Sequence, residues 1–196
     1  NDGVVINEFM ADNSTTIQDP QGKYEDWIEL YNNSNQEISL NGWYLTDDAT
    51  KPNKWKFPDI SIKGGDYLLI WADEDLTDEG LHADIKLSKS GEFIGLYDKD
   101  MNLVDSYLFG AQSTDVSEAR IPNGTGDFVK TKIPTPNAEN KVETSVQENQ
   151  YGDIKVIPNP AMDYIDIYID KVILSEAKNP IKIYNTFGEC LINYEL

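Results

Sequence analysis

Short runs of β-forming residues, separated by clusters of turn-forming residues about every ten positions, extend through most of this chain. Residues 26–32 are typical, because Ile28 and Leu30 occupy one set of alternate positions and mainly aromatic or charged residues occupy the other. Alternation with a period of two predicts a strand with one aliphatic face. Helical periodicity is almost absent, so the pattern predicts an all-β sandwich.

The other runs have the same character. The predicted strands occupy residues 4–10, 26–32, 38–40, 43–45, 55–58, 67–71, 93–97, 103–107, 117–122 and 128–129. The run at 67–71 is almost continuously apolar, which is typical of a strand in the interior of a sheet. Asp and Asn are frequent at 98–102, between two of the runs, and predict a hairpin turn.

The composition changes where two prolines, Pro134 and Pro136, interrupt the β pattern, since proline lacks the N–H that a strand ladder needs. The stretch that follows is polar, charged and poor in large apolar side chains, as in a linker. Further β-rich runs begin at residue 154. We therefore predict three parts: a sandwich over 1–138, a linker over 139–153 and a small β-rich module over 154–196.

The charge of the chain restricts its partners. Sixteen Lys and Arg residues face 35 Asp and Glu residues, for a formal net charge of -19. Nucleic-acid affinity comes mainly from basic groups, so binding to nucleic acid or to an anionic membrane is disfavoured. No apolar run is long enough to span a membrane. Cations and basic partners are favoured.

Several motifs of the predicted sandwich follow one another in an order known from one family. They are Ile6-Asn7-Glu8, Asp26-Trp27-Ile28-Glu29-Leu30-Tyr31-Asn32, Leu40-Asn41-Gly42-Trp43-Tyr44-Leu45, Trp55-Lys56-Phe57-Pro58, Gly65-Asp66-Tyr67-Leu68-Leu69-Ile70-Trp71-Ala72, Leu87-Ser88-Lys89-Ser90-Gly91-Glu92, Arg120-Ile121-Pro122-Asn123-Gly124 and Pro134-Thr135-Pro136-Asn137. In these motifs most of residues 1–138 resembles a bacterial lamin tail domain. The resemblance implies an immunoglobulin-like β-sandwich.

The four tryptophans, Trp27, Trp43, Trp55 and Trp71, each lie in a β-run of this block. Side chains of this size contribute heavily to burial, so we expect them in the core. A face on which carbohydrate stacks is the alternative for some of them.

A second set of motifs lies in the C-terminal module. Its defining positions are Pro158, Asn159, Pro160, Ala161, Tyr184, Asn185 and Gly188. These positions are similar to the C-terminal sorting domain of type IX secretion in Bacteroidetes. The resemblance implies export by that machinery to the outside or the outer surface of a Gram-negative cell. That family runs on for another strand or two beyond the glycine, so we expect a shortened sorting module here.

The residues of the common catalytic sites are scarce. His82 is the single histidine and Cys190 the single cysteine, which excludes a histidine-rich metal centre and an intrachain disulfide. The Gly-x-Ser-x-Gly motif of a serine nucleophile is absent, and Ser88 and Ser90 lie in a segment that the lamin tail resemblance explains. We therefore predict that the chain is not an enzyme and needs no cofactor, and that His82 is a surface loop residue.

Calcium is the inorganic ligand that the loops suit best, because it takes six to eight oxygen ligands from carboxylates, amides and carbonyls. Two acidic segments are candidates, and the second spans residues 73–79. The first is preferred because it joins two predicted strands; its ligands would be Asp12, Asn13, Asp19, Glu25 and Asp26. Solvated acidic loops without a bound ion are the simpler interpretation of both segments.

These observations predict a non-catalytic binding, adhesion or structural module of a secreted, cell-surface protein. Its expected partner is a protein or a glycan of the cell envelope, contacted through loops or a sheet edge. A small secreted hydrolase or phosphoesterase is the alternative, as is a calcium-dependent binding module.

Overall fold

A computed structural model describes residues 3–141 and, in the C-terminal part, the backbone of four strands. The chain forms two compact units, Asn1–Glu143 and Thr144–Leu196. The boundary between them lies inside the predicted linker. Within the described residues, no helix is long and apolar enough to cross a membrane.

The first unit consists of twelve strands in chain order. They are β1 (Val4–Met10), β2 (Trp27–Asn32), β3 (Ile38–Ser39), β4 (Tyr44–Thr46), β5 (Trp55–Lys56), β6 (Ser61–Ile62), β7 (Tyr67–Ala72), β8 (His82–Ala83), β9 (Glu92–Tyr97), β10 (Leu103–Phe109), β11 (Ser117–Ile121) and β12 (Asp127–Thr131). Every predicted strand is present. Two strands were not predicted, β6 and β8, and each has only two residues.

Two main sheets make up the sandwich. The larger has the order β12-β11-β1-β2-β7-β8, the smaller the order β10-β9-β4-β5, and β3 pairs with β6. All pairings are antiparallel except that of β7 with β8. The prediction that residues 67–71 form an interior strand is confirmed, since β7 has a neighbour on each side. The predicted hairpin of β9 and β10 is confirmed as well.

Alternate residues of both sheets face each other across one continuous core. In the larger sheet Phe9, Ile28 and Ile70 are fully buried in it, and in the smaller sheet so are Ile94 and Leu96. One aliphatic face per strand is what two packed antiparallel sheets require. The expected all-β, immunoglobulin-like sandwich is the observed fold.

The tryptophans occupy the positions expected of large apolar side chains. Trp27, Trp55 and Trp71 are buried, and the half-buried Trp43 packs against the core. Trp43 follows a tight turn in which Gly42 has φ +84°, a conformation that glycine adopts without strain. Core packing is therefore the correct interpretation of these residues.

A bulge in β1 places polar side chains on the outer face of the larger sheet. Ile6 pairs with Leu30 and Glu8 with Glu29, so Asn7 is one extra residue in β1. Glu8 and Glu29 therefore become cross-strand neighbours on the face away from the core. Both are fully buried, which requires that something else covers that face.

The second unit contains two strand pairs. β13 (Lys155–Ile157) pairs with β14 (Asp166–Tyr168), and β15 (Ile181–Tyr184) pairs with β16 (Cys190–Tyr194). Tyr184 of the predicted sorting motif is the last residue of β15. The other motif positions lie outside the described residues: Pro158, Asn159, Pro160, Ala161, Asn185 and Gly188.

Candidate functional site

The outer face of the smaller sheet carries apolar and aromatic side chains. Ile94 and Leu96 point into the core, so Phe93 and Tyr97 point outward by the alternation of β9. Leu108 pairs with Phe93, and Leu103 pairs with Tyr97. Leu108 is 77% exposed and Leu103 is 53% exposed. We call the surface formed by Tyr44, Phe93, Tyr97, Leu103 and Leu108 the β10 face.

Gly95 lies in the middle of the β10 face. A Cβ atom at this position would lie 2.6 Å from the Phe93 ring and 3.0 Å from the Tyr97 ring. Both rings therefore lean over the glycine from opposite sides. The result is an aromatic surface beside the exposed side chain of Leu108.

The strand that borders this face is an edge strand. Among the strands that the structure describes, β10 pairs with β9 alone, so its other side presents peptide groups without a strand partner. Asp105 anchors the strand to the larger sheet, because it accepts hydrogen bonds from the Ile6 amide and from the Arg120 guanidinium. This anchor holds β10 in place without covering its outward leucines.

One edge of the larger sheet, strand β12, differs in chemistry from β10. β12 is also paired on one side only, but Asp127 and Lys130 place charges along it. Lysines and other charges on an edge strand oppose pairing with another chain. Of these two edges, β10 is thus the one with exposed leucines and few charges.

The outer face of the larger sheet has a polar half around Glu8 and Glu29 and an apolar half around Trp27. The segment that follows β12 covers the polar half. The Thr135 amide donates a hydrogen bond to Glu8, and the Asn137 amide donates one to Glu29. Asn140 donates from its side chain to the Asn7 carbonyl oxygen. Residues 133–140 therefore form a cover, named here the C-terminal cover, over a buried polar cluster. Asn140 was expected in the linker, yet it is buried in the sandwich.

Burial changes the protonation of this cluster. It raises the pKa of Glu29 to about 7, although hydrogen bonds from Asn7 and Asn137 oppose the rise and the nearby Glu8 adds to it. Burial also raises the pKa of Glu8. Oε1 of Glu29 accepts from the Asn7 side chain and Oε2 accepts from the Asn137 amide, so both oxygens are engaged. The cluster therefore has a structural role, although its carboxyl pKa values are perturbed.

The second half of the same outer face is apolar. Met10, Trp27 and Trp71 form a buried cluster against which Ile17 packs from the loop between β1 and β2. Asn13 holds that loop in shape, because its side-chain amide donates to the carbonyl oxygens of Ile17 and Glu25. The tryptophans are thereby closed off from solvent, which explains why a carbohydrate-stacking face does not form here.

The five residues predicted to bind calcium have different hydrogen-bond and ion-pair partners. Asp12 accepts from Thr114 and forms an ion pair with Lys89, and Asp26 accepts from the Asn13 amide. Burial is the main cause that raises the pKa of Asp26 to about 6. Glu25 lies close enough to Asp19 for their charges to repel, which contributes to its raised pKa after burial. Calcium binding by this set stays a prediction.

Asp19 belongs to a different cluster, which it forms with Asp73 and His82. One carboxylate oxygen of each aspartate and one ring nitrogen of the histidine lie within 4.8 Å of one another. Oδ1 of Asp19 accepts from the Lys23 amide, while Oδ2 is buried and takes no hydrogen bond from the residues described. The three residues come from the β1–β2 loop, the end of β7 and the edge strand β8.

The prediction that His82 is a surface loop residue is wrong. His82 belongs to β8 and is only 5% exposed. Its Nδ1 lies 2.8 Å from Asp73 Oδ2 and its Nε2 lies 3.1 Å from the Glu79 carbonyl oxygen. Burial lowers the pKa of His82, but these two bonds and the charges of both aspartates outweigh it and raise the pKa overall. The protonated ring is thus favoured.

The serines singled out by the sequence do not form a catalytic pair with this histidine. Ser88 and Ser90 bond to each other through their hydroxyl groups, 2.8 Å apart. Both ring nitrogens of His82 contact oxygen atoms of other residues, as given above. The arrangement in this part of the chain is therefore that of an ion-paired histidine.

The two sheets, the core between them and the solvent-facing β10 surface define the class of the first unit: an immunoglobulin-like β-sandwich domain. The family model of the Lamin Tail Domain matches residues 1–111. The chain belongs to the lamin tail domain family, whose immunoglobulin-like domain is generally non-catalytic. A search of curated proteins finds no match to this chain. The matched region ends just after β10, whereas β11, β12 and the C-terminal cover complete the fold.

Sequence reasoning missed the β10 face and the histidine cluster. A signal for the first was present in Leu103 and Leu108, which stand at the two ends of a run whose middle is polar. The second had no signal, because Asp19 and His82 are far apart in sequence and meet only when the β1–β2 loop packs on the edge of the sheet.

Proposed function

We propose that this chain is a non-catalytic binding or adhesion module of an exported cell-surface protein, and that the β10 face is its contact surface. The observation that carries the proposal is the exposure of Leu108, 77%, on an edge strand. A partner segment that pairs with β10 gains main-chain hydrogen bonds and buries this leucine. The expected partner is a protein of the cell envelope.

The chemistry of the surface favours a protein partner over a glycan. Edge pairing needs a second chain with peptide groups, which a glycan lacks. The apolar side chains Leu103 and Leu108 supply contact area on the same strand. A glycan that stacks on Phe93 and Tyr97 is the competing outcome, and the two respond differently to substitution.

The hydrolase alternative receives less support from the described residues. The most perturbed carboxyl group, Glu29, is fully buried and engaged by Asn7 and Asn137. A catalytic carboxyl group must reach a substrate, and these bonds leave no path for one. The module is therefore proposed to be non-catalytic.

Export is the second part of the proposal. The sorting-type motif at Pro158, Asn159, Pro160 and Ala161 supports delivery through a type IX system to the outer surface of a Gram-negative cell. Expression of the chain, with a cleavable signal, in a host that has this system tests the point. Surface delivery that is lost on deletion of residues 154–196 is expected, and delivery that survives the deletion contradicts it.

The binding proposal is tested by capture from an envelope extract of the producing cell, with the full chain immobilised. Leu108→Asp is expected to abolish capture, because it places a charge where a strand partner must pack. Leu76→Asp is the matched control, since Leu76 is 57% exposed in a loop away from this face. Equal capture by both variants, or no capture by the unmodified chain, contradicts the proposal.

Phe93→Ser and Tyr97→Ser distinguish the two kinds of partner. Loss of a retained glycan in these variants, with Leu108→Asp unaffected, would assign the face to carbohydrate. Loss of a retained protein in Leu108→Asp supports edge pairing.

A further inference from the structure

We infer that Asp19, Asp73 and His82 form a binding site for a divalent transition-metal ion of the zinc class, which fastens the β1–β2 loop to the edge of the larger sheet. This site differs from the predicted calcium set in two of its three ligands and in the kind of ion. It shares only Asp19 with that set.

One carboxylate oxygen of the cluster has no hydrogen-bond partner among the described residues. Asp19 is 5% exposed, and its Oδ2 has no hydrogen-bond partner within the described part of the chain. A buried carboxylate oxygen without a partner costs free energy that a native fold normally avoids. The Lys23 amide already occupies Oδ1, so Oδ2 is the unengaged oxygen of a carboxylate that converges with Asp73 and His82.

The charge of the cluster also suits a cation. Asp19 and Asp73 bring two carboxylates to one imidazole. The ammonium group of Lys23 pairs with Asp75 and Asp78, on the more exposed side of the loop. Two carboxylates and a neutral imidazole would balance a divalent ion, and buried charges in proteins are usually paired or bound to a metal.

The orientation of His82 also suits a metal ligand. Zinc-bound histidines usually donate their second ring N–H to a carbonyl or carboxylate oxygen, which fixes the ring. Here Nε2 lies 3.1 Å from the Glu79 carbonyl oxygen. Nδ1 faces Asp73 Oδ2 at 2.8 Å, so an ion that takes Nδ1 replaces the proton between these two atoms.

Packing around the ring supports the same arrangement. Gly80 has φ +122°, and a Cβ atom there would lie 3.1 Å from Nε2 of His82 and 3.3 Å from a Pro20 side-chain atom. The loop thus closes tightly on the histidine. Ligand atoms around a tetrahedral ion with bonds of 2.0–2.1 Å lie about 3.4 Å apart. This separation falls between the 2.8 Å from His82 Nδ1 to Asp73 Oδ2 and the 4.8 Å within which all three ligand atoms lie.

The ligand types select the ion. Calcium takes six to eight oxygen ligands and magnesium prefers oxygen and water, whereas zinc accepts one imidazole nitrogen and two carboxylate oxygens together with a water molecule. Cobalt(II) fits the same set and absorbs visible light, which makes it a probe of the site.

The test uses the whole 196-residue chain with Cys190→Ser, so that no thiol competes with the single histidine for the metal. Zinc chloride at a hundredfold excess over its Kd is expected to raise the unfolding midpoint by about 5 °C or more. Cobalt chloride is expected to produce a visible absorption band. Calcium chloride is expected to do neither.

Asp19→Asn is the decisive variant. It keeps the acceptor for the Lys23 amide and removes the charge of the unpaired oxygen, so the metal-free protein should fold with an unchanged or higher midpoint. Affinity for zinc should fall at least about tenfold, and the cobalt band should disappear. Asp100→Asn, the same change on an exposed hairpin residue, should leave both responses intact.

Three results would overturn the inference: no response to zinc and cobalt, an unchanged response in Asp19→Asn, or a midpoint shift produced by calcium instead of zinc. In each of these cases the Asp73–His82 pair is a structural ion pair, and a shift with calcium points to the acidic loops. The β10 proposal is independent of all three results.

Discussion

The two outer faces of this sandwich differ in their exposure to solvent. The face of the larger sheet is closed by the β1–β2 loop on one half and by the C-terminal cover on the other. The face of the smaller sheet carries Phe93 and Tyr97 beside the exposed Leu108. An antiparallel sheet can leave one face to solvent, but apolar residues there are typical of a contact surface. The closed face therefore stabilises the domain, and the open face is available to a partner.

The largest expected effect on stability is at the apolar half of the closed face. Trp27→Ala should lower the free energy of unfolding by about 3–5 kcal/mol, because Trp27 is fully buried against Met10 and Trp71. Leu108→Ala on the open face should change it by less than about 0.5 kcal/mol. Urea unfolding of both variants measures the difference, and similar losses would refute the contrast between the faces.

The next effect concerns the polar half and its dependence on pH. The pKa of Glu29 is about 7 in the fold and 4.5 in the unfolded chain. The folded protein therefore keeps a proton that the unfolded chain releases between these values. The free energy of unfolding should increase by on the order of 2–3 kcal/mol as the pH falls from about 7 towards 4.5.

Glu29→Gln isolates this contribution, because the amide does not titrate. Its free energy of unfolding should depend less on pH than that of the unmodified chain, measured by urea unfolding across the same range. Asp26, with a pKa of about 6, adds a smaller effect of the same sign in both proteins. Identical pH dependence of the two proteins would show that Glu29 is not the source.

A smaller effect is expected where the C-terminal cover meets β1. Asn140 donates to the carbonyl oxygens of Asn7 and Arg120. Asn140→Ala leaves these acceptors without their donor and should cost about 1–3 kcal/mol. Glu139→Ala, at the exposed neighbouring position, is the control and should be close to neutral. If both variants unfold alike, residues 133–140 are no part of the folded domain.

The smallest effect on stability should come with the largest effect on binding. Leu108→Asp is expected to change the free energy of unfolding by less than about 0.5 kcal/mol, because the side chain already faces solvent. Capture of the envelope partner should nevertheless be lost. If Leu108→Asp is much less stable than the unmodified chain, misfolding explains the loss of binding instead.

The longer strands and the core could be predicted from periodicity, because these strands have enough residues to alternate. β2 and β7 show this, with Ile28 and Ile70 on one face and tryptophans on the other. β8 has only two residues and was not predicted, whereas the equally short β3 and β5 lie within predicted runs of three and four residues. Its pairing with β7 depends on the turn through 73–81 and brings His82 next to Asp73.

The covers were harder to foresee than the strands. The prolines Pro134 and Pro136 correctly indicated the end of the ladder, but nothing in the local pattern showed that Thr135 and Asn137 reach Glu8 and Glu29. Asn137 adopts φ +60°, which asparagine tolerates better than most residues and which accompanies the bond from its amide to Glu29. The calcium prediction grouped residues by sequence, whereas the fold assigns Asp12 and Asp19 to different contacts.

The most direct test of the central claim is amide hydrogen exchange of the full chain, with and without the envelope component that it captures. Slower exchange is predicted at the edge strand β10 on binding, with no change around Trp27 and Trp71, which are already covered. Protection confined to the β1–β2 loop or to the C-terminal cover, with β10 unchanged, would contradict the account.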